Sequence, residues 1–289
     1  MTVFHDHLEG IEPLAERLAP FDAIVAMRER TAFGADLLAR LPRLRLLVTT
    51  GMANPSIDLA AAREHGIVVC GTRGLPSPTA ELTWGLILAV LRHIPAEDAR
   101  LRAGGWQATV GSELAGRTLG IIGLGRLGRR VARVARAFEM DVLAWSQNLD
   151  PDEAHRHGAE PVGRDELLAR ADVVTIHLRL SARTRGLIGA AELARMKPSA
   201  VLVNTSRGPI VDETALVDAL RGGGFAGAGL DVYDTEPLPA GHPLRTAPNT
   251  VLTPHLGYVT SGTYARFYGD AVEDIAAYQA GEPIRVMTE

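Results

Sequence analysis

An arginine, a glutamate and a histidine sit in three polar segments near the end of this chain. N-T-S-R-G at 204–208 holds Arg207, D-V-Y-D-T-E-P-L at 231–238 holds Asp231 and Glu236, and T-P-H-L-G at 253–257 holds His255. A guanidinium grips a carboxylate through two parallel hydrogen bonds. An imidazole titrates near working pH, and a carboxylate beside it orients the ring and raises its pKa. Each segment follows a short apolar run, the pattern of a strand opening into a loop. In an open parallel sheet such loops gather beyond the carboxyl ends of the strands, where ligands bind.

What these groups would act with is suggested by L-G-I-I-G-L-G-R-L-G at 119–128. It reads as a buried strand, a glycine turn and a helix, with Gly123, Gly125 and Gly128 in the spacing G-x-G-x-x-G. The first glycine allows the tight turn, the second lets backbone approach a pyrophosphate, and the third lets the helix pack against the strand. Helix amides and the positive end of the helix dipole then face the phosphates. Leu127, Val131, Val134, Ala135 and Phe138 follow at helical spacing, and the apolar run at 142–145 completes a βαβ unit. A nicotinamide held there, beside the three polar segments, implies hydride transfer coupled to proton transfer on an α-keto or α-hydroxy acid.

The elements that must position these groups alternate along the chain. Strands are expected at 2–5, 21–27, 44–50 and 67–70, with helices at 11–18, 35–41 and 57–65. Alternation of this kind argues for a parallel sheet covered on both faces. The helix expected at 79–93 is apolar all round, which predicts burial between domains or between subunits. Further strands at 118–122, 142–145, 173–176, 200–204, 227–232 and 250–252 make about six in a doubly wound sheet, and the amphipathic helix at 263–280 is expected to return to the first unit. The fold class is therefore α/β: a Rossmann-type sheet at 76–258 for the dinucleotide, and a smaller flavodoxin-like substrate domain from 1–75 plus 259–289.

Composition excludes several other classes. A 289-residue chain with 46% hydrophobic residues and a net charge of −4 presents no basic footprint for nucleic acid or an anionic membrane. The longest apolar run, 82–91, is far too short to span a bilayer, and the chain opens without an apolar signal core, so a cytoplasmic protein is expected. Cys70 is the only cysteine, which rules out an intrachain disulfide and a thiolate metal cluster. Asp150, Asp152, Glu153, His155 and His157 read as a solvated loop and helix start, so no metal is expected. Ser206 with His255 and Asp231 lacks the G-x-S-x-G elbow of a hydrolase.

The four ordered motifs, from the glycine loop to T-P-H-L-G, resemble the D-isomer-specific 2-hydroxyacid dehydrogenase family over nearly the whole chain. The resemblance implies that Arg207 binds and polarises the substrate, that His255 is the acid/base, and that Glu236 pairs with it. It implies that Asp231 bonds the nicotinamide carboxamide. The turn of Met52, Ala53 and Asn54 matches the loop whose amides hold the substrate carboxylate, although the family carries glycine where Ala53 stands. The expected cofactor set is Gly123, Gly125, Arg126, Leu127, Gly128, Ser146, His177, Thr205 and Asp231. Arg28, the Met52 loop, Trp84 and Tyr258 are expected to shape the substrate pocket.

The cofactor is NAD or NADP. Ser146 stands where an acidic residue would bind the ribose 2′-hydroxyl of NAD, and it carries no charge to repel a 2′-phosphate. The partners expected are a small 2-keto or 2-hydroxy acid and a second copy of the chain in a homodimer. A dinucleotide-sensing binding protein or co-repressor with little turnover is the rival function. The chain starts about one βα unit later than the family does, which predicts either a truncated start or a first sheet lacking its central strand.

Overall fold

A computed structural model describes residues 1–8 and 10–288, which divide into two compact units, 1–75 with 260–289 and 76–259.

In the first unit, the described residues form a three-stranded parallel sheet in the order β1 (Ala23–Ala26), β2 (Leu46–Thr49) and β3 (Val68–Gly71). The strand expected at 2–5 is absent. Phe4 instead packs edge-on to Phe21, with ring centroids 5.9 Å apart, and under the Arg17 guanidinium. Those side-chain contacts stand in place of a ladder, so the described residues form three of the four strands expected in this unit. Helices Ile11–Leu18, Ala35–Leu38 and Leu59–Glu64 cover one face around Phe33, Leu37 and Leu47.

The last helix, Ser261–Gln279, closes the other face, with Ala271 against Leu46, Val48 and Cys70. Its buried Asp270 and Asp274 are answered by arginines: Arg73 Nη2 lies 2.6 Å from Asp270 Oδ1, and Arg285 Nε lies 2.9 Å from Asp274 Oδ1. The tail then pairs with β3, where the Gly71 amide donates to the Arg285 carbonyl and the Met287 amide to that of Val69. Burial pushes the Cys70 thiol up to about 11.

In the second unit, the described residues form a seven-stranded sheet. Its members are β4 (Thr118–Ile122), β5 (Asp141–Trp145), β6 (Glu160–Pro161), β7 (Val173–Ile176), β8 (Val201–Asn204), β9 (Gly227–Leu230) and β10 (Thr250–Leu252), in the spatial order β10-β9-β8-β7-β4-β5-β6. Every pairing is parallel, so every strand delivers its following loop to one rim. The inner strands are buried throughout and read as V-V-T-I and V-L-V-N, as expected for a sheet covered on both faces. The two-residue β6, missed in the sequence, carries a proline that only an edge accepts.

Helix Ser77–Leu91 packs inside this unit. Leu86, Ile87 and Val90 share one buried core with Leu119, Val201 and Val203, so one face of the helix packs within its own unit. Trp84 is buried in the same core, with its ring centroid 5.0 Å from that of Phe138. Among the described residues, no helix is long and apolar enough to cross a membrane.

Candidate active site

The glycine turn leaves β4 with Gly123 at φ 105°, where a Cβ would lie 2.7 Å from the His177 carbonyl oxygen. Gly128 is pressed against the Gly123 carbonyl, so helix and turn touch backbone to backbone. Gly125 differs: a Cβ there would meet nothing within 4 Å, and the residue is exposed. It opens helix Arg126–Ala137, whose first amides at Arg126 and Leu127 have no intrahelical acceptor. A tight turn, a close helix contact and an open backbone cradle at a helix N-terminus fit a bound pyrophosphate.

At the end of β5, Ser146 is half-buried and no carboxylate stands at that position. Glu153, an acid of the helix that follows, is taken by Arg129 and Arg156, each at 2.6 Å. Arg126 is exposed beside the cradle. His177 follows β7 with its Nε2 3.0 Å from Thr175 Oγ1, while its buried Nδ1 has no partner among the described residues. Burial brings its pKa down to about 3, so the ring is neutral.

The three polar segments leave the adjacent strands β8, β9 and β10. After β8, Asn204 ties its own loop, accepting from the Ser206 amide and donating to the Arg207 carbonyl. The Ser206 hydroxyl donates to the Leu178 carbonyl at 2.8 Å, so it is a structural serine. Gly208 lets this loop lie against the backbone of Tyr233 and Asp234, where no side chain would fit.

After β9, Asp231 braces the next loop. Its carboxylate accepts from the Thr253 hydroxyl at 2.6 Å and from the Leu256 and Gly257 amides at 2.7 and 2.8 Å. Burial pushes the Asp231 carboxyl up from its ordinary range, and these donors pull it back.

After β10, His255 adopts φ 55°, in the left-handed region. Its Nδ1 lies 2.6 Å from Glu236 Oε2, and Glu236 Oε1 accepts the Tyr233 amide at 3.0 Å. An ionised carboxylate only accepts, so Nδ1 carries the hydrogen in this pair. Nε2 is left with no partner among the described residues, on a ring still 20% exposed. That nitrogen can hold and release a proton. Tyr258 stands edge-on to the imidazole, with centroids 5.6 Å apart.

Tyr233 was not singled out in the sequence. Its hydroxyl bonds the Leu230 and Thr253 carbonyls and its amide bonds Glu236, so it joins the second loop to the third. Only its place inside D-V-Y-D-T-E-P could have marked it.

The turn at 51–54 belongs to the first unit. The Asn54 side chain is consumed internally, donating to the Arg28 carbonyl and Thr49 Oγ1 and accepting the Ser56 amide. Met52 and Ala53 are exposed, and their amides and that of Asn54 have no acceptor among the described residues. Arg28 sits at φ 49° with its guanidinium lying against Gly51.

A parallel sheet carrying a dinucleotide cradle and a carboxylate-held imidazole on one rim defines the class of dinucleotide-dependent oxidoreductases. Within that class the chain belongs to the D-isomer specific 2-hydroxyacid dehydrogenase family, whose NAD binding domain its residues 84–257 match. It is 42% identical over 257 residues to a glyoxylate reductase of Aeropyrum pernix, covering 86% of this chain and 77% of that one. It is 39% identical over 265 residues to a D-3-phosphoglycerate dehydrogenase of Mycobacterium tuberculosis, covering 90% of this chain but only about half (50%) of that one. A solved phosphoglycerate oxidoreductase from Vibrio cholerae superposes with a TM-score of 0.93 at 39% identity, covering 97% of this chain and 91% of that one.

Proposed function

We propose that this chain reduces a small 2-keto acid to the D-2-hydroxy acid with NADH or NADPH, as a glyoxylate or hydroxypyruvate reductase would. The observation that carries this is the imidazole of His255, held through Nδ1 by Glu236 with Nε2 left open, on the rim that also presents Arg207 and the glycine cradle. Bound in that cradle, the nicotinamide cofactor supplies the hydride for the keto carbon. His255, protonated at Nε2, gives its proton to the oxygen that becomes the hydroxyl. Glu236 fixes the orientation of the ring. Arg207 offsets the charge of the substrate carboxylate and of the developing alkoxide. In this proposal the first unit is the substrate domain, and the free amides of Met52, Ala53 and Asn54 take the substrate carboxylate. Asp231 holds the carboxamide while it braces the His255 loop.

The chain is further proposed to work in the cytoplasm as a homodimer. Ile94, Leu101, Trp106 and Val110 are exposed together in one segment that follows the core helix, and Trp106 is 75% exposed. Glu97 and Arg100 pin that segment, with Glu97 accepting the Thr109 amide and hydroxyl and Arg100 donating to the Trp106 carbonyl. A pinned apolar arm of this kind fits a second copy.

The deciding experiment follows NADH and NADPH oxidation with glyoxylate, hydroxypyruvate, pyruvate and phenylpyruvate, with chiral analysis of the product. Turnover to the D-acid supports the proposal. Cofactor binding without oxidation across the panel would overturn it in favour of the sensor, which the names of the relatives do not favour.

A further inference from the structure

The loops bearing Arg207 and His255 are both fastened by hydroxyl groups to one helix. Thr79 and Thr83 stand four residues apart on Ser77–Leu91, and so share a face. Thr79 Oγ1 donates to the Gly257 carbonyl at 2.8 Å, two residues past His255. Thr83 Oγ1 donates to the Thr79 carbonyl at 2.8 Å and lies 2.9 Å from Thr205 Oγ1. Bonding to the carbonyl four residues back is ordinary for a helical threonine. Its consequence here is not ordinary. A hydroxyl has one hydrogen, and Thr83 spends it on its own helix, so the hydrogen between the two hydroxyls must come from Thr205. That residue is left with lone pairs alone to offer a ligand, and its rotamer is set from the helix.

The Gly257 peptide is caught from both sides. Its N–H donates to Asp231 Oδ2 at 2.8 Å while its carbonyl accepts from Thr79. A Cβ at this glycine would come within 3.1 Å of both Asp231 Oδ2 and Thr79 Cγ2. His255, two residues earlier, is in a left-handed conformation that a side chain adopts reluctantly. Such a conformation persists where the surroundings over-determine it. The His255 amide donates to the Thr253 carbonyl, and Asp231 and Thr79 hold the two residues that follow.

We propose that Thr79 and Thr83 are positioning residues: Thr79 holds the His255 turn in its working geometry, and Thr83 holds the Arg207 loop by fixing Thr205. This rests on the reductase function above, in which His255 moves the proton and Arg207 binds the acid.

The test compares Thr79→Val, Thr83→Val and Thr79→Ser with the parent chain, after thermal melts establish that each is folded. Thr79→Val keeps the shape and removes the donor. It should lower kcat about tenfold or more with glyoxylate and NADH while leaving KM nearly unchanged, because small misplacements of a reacting group are costly. Thr83→Val should instead raise KM for glyoxylate about tenfold. Thr79→Ser, which keeps the hydroxyl, should restore kcat. Should the valine variant not fold, Thr79→Ala carries the same comparison.

A second readout is independent of turnover: the downfield proton on His255 Nδ1, seen by NMR, should shift in Thr79→Val and return in Thr79→Ser. Lowered melting temperatures with unchanged kcat, KM and imidazole signal would make both residues core packing only and overturn the proposal. If the parent chain reduces no keto acid, the reductase function and the Thr83 role fail with it, yet the imidazole signal still decides the Thr79 role. An unmoved signal overturns it and a moved one supports it.

Discussion

His255 Nδ1 and Glu236 Oε2 meet at 2.6 Å across nineteen positions of sequence. The contact forms because β9 and β10 are parallel neighbours that end at the same rim. Replacing His255 by alanine should lower kcat by about 10²-fold or more, as expected for loss of a general acid. Glu236→Gln should lower kcat with little change in KM, since the ring stays but loses its orienting charge. Steady-state kinetics with the preferred keto acid check both, and near-parental turnover in the histidine variant would remove it from the mechanism.

Arg207 should not tolerate lysine. A planar guanidinium meets a carboxylate with two bonds at once and an ammonium cannot. Arg207→Lys should raise KM for the keto acid about tenfold or more while the Kd for NADH, read by fluorescence, stays put.

Two glycines of one motif should fail in different ways. Gly128→Ala drives a methyl into the Gly123 carbonyl, so the apoprotein should lose about 1–3 kcal/mol in urea unfolding. Gly125→Ala meets nothing, so its stability should match the parent while NADH affinity falls. Equal stability losses in the two would contradict the open cradle.

Cofactor preference should follow Ser146. A carboxylate placed there would bond the ribose 2′-hydroxyl and repel a 2′-phosphate. Ser146→Asp should shift the ratio of NADPH to NADH dissociation constants toward NADH by about tenfold or more.

Asp270 makes acid stability a property of the first unit. The Arg73 guanidinium beside it holds its carboxyl at about 2, below the ordinary 3.8. A depressed carboxyl stabilises above its unfolded value, and that stability is lost as pH falls from about 4 toward 2. Arg73 is 53% exposed, so solvent screening keeps the pair's contribution modest. Burial pushes the nearby Asp274 carboxyl the other way, so a variant isolates the effect better than a bare pH curve. Asp270→Asn should be less stable than the parent at pH 7 and converge with it near pH 2, as measured by urea unfolding.

The alternation of apolar runs and helical periodicity was enough to place most strands of both sheets, and the spacing of Gly123, Gly125 and Gly128 anticipated three different steric environments. These are local signals: a buried strand, a turn at positive φ and a helix start each leave their mark within a few residues. Family resemblance added the pairing of Glu236 with His255. By contrast, the apolar helix at Ser77–Leu91 was expected between domains or subunits, and within its own unit it covers Leu119, Val201 and Val203, a packing that its hydrophobicity could not specify. Hydrophobicity reports that a surface is covered without naming what covers it.

What the chain order determined by itself is the set of elements and the chemistry each loop could carry. What only the folded sheet decided is which of those loops share a rim, and which distant hydroxyls and amides hold them. Asp231 bracing the His255 loop, Tyr233 joining two loops and Thr79 catching Gly257 from 178 positions away leave no periodic trace. Hydrogen bonds are short-ranged and directional, so they depend on where the strands end up and not on any pattern along the chain.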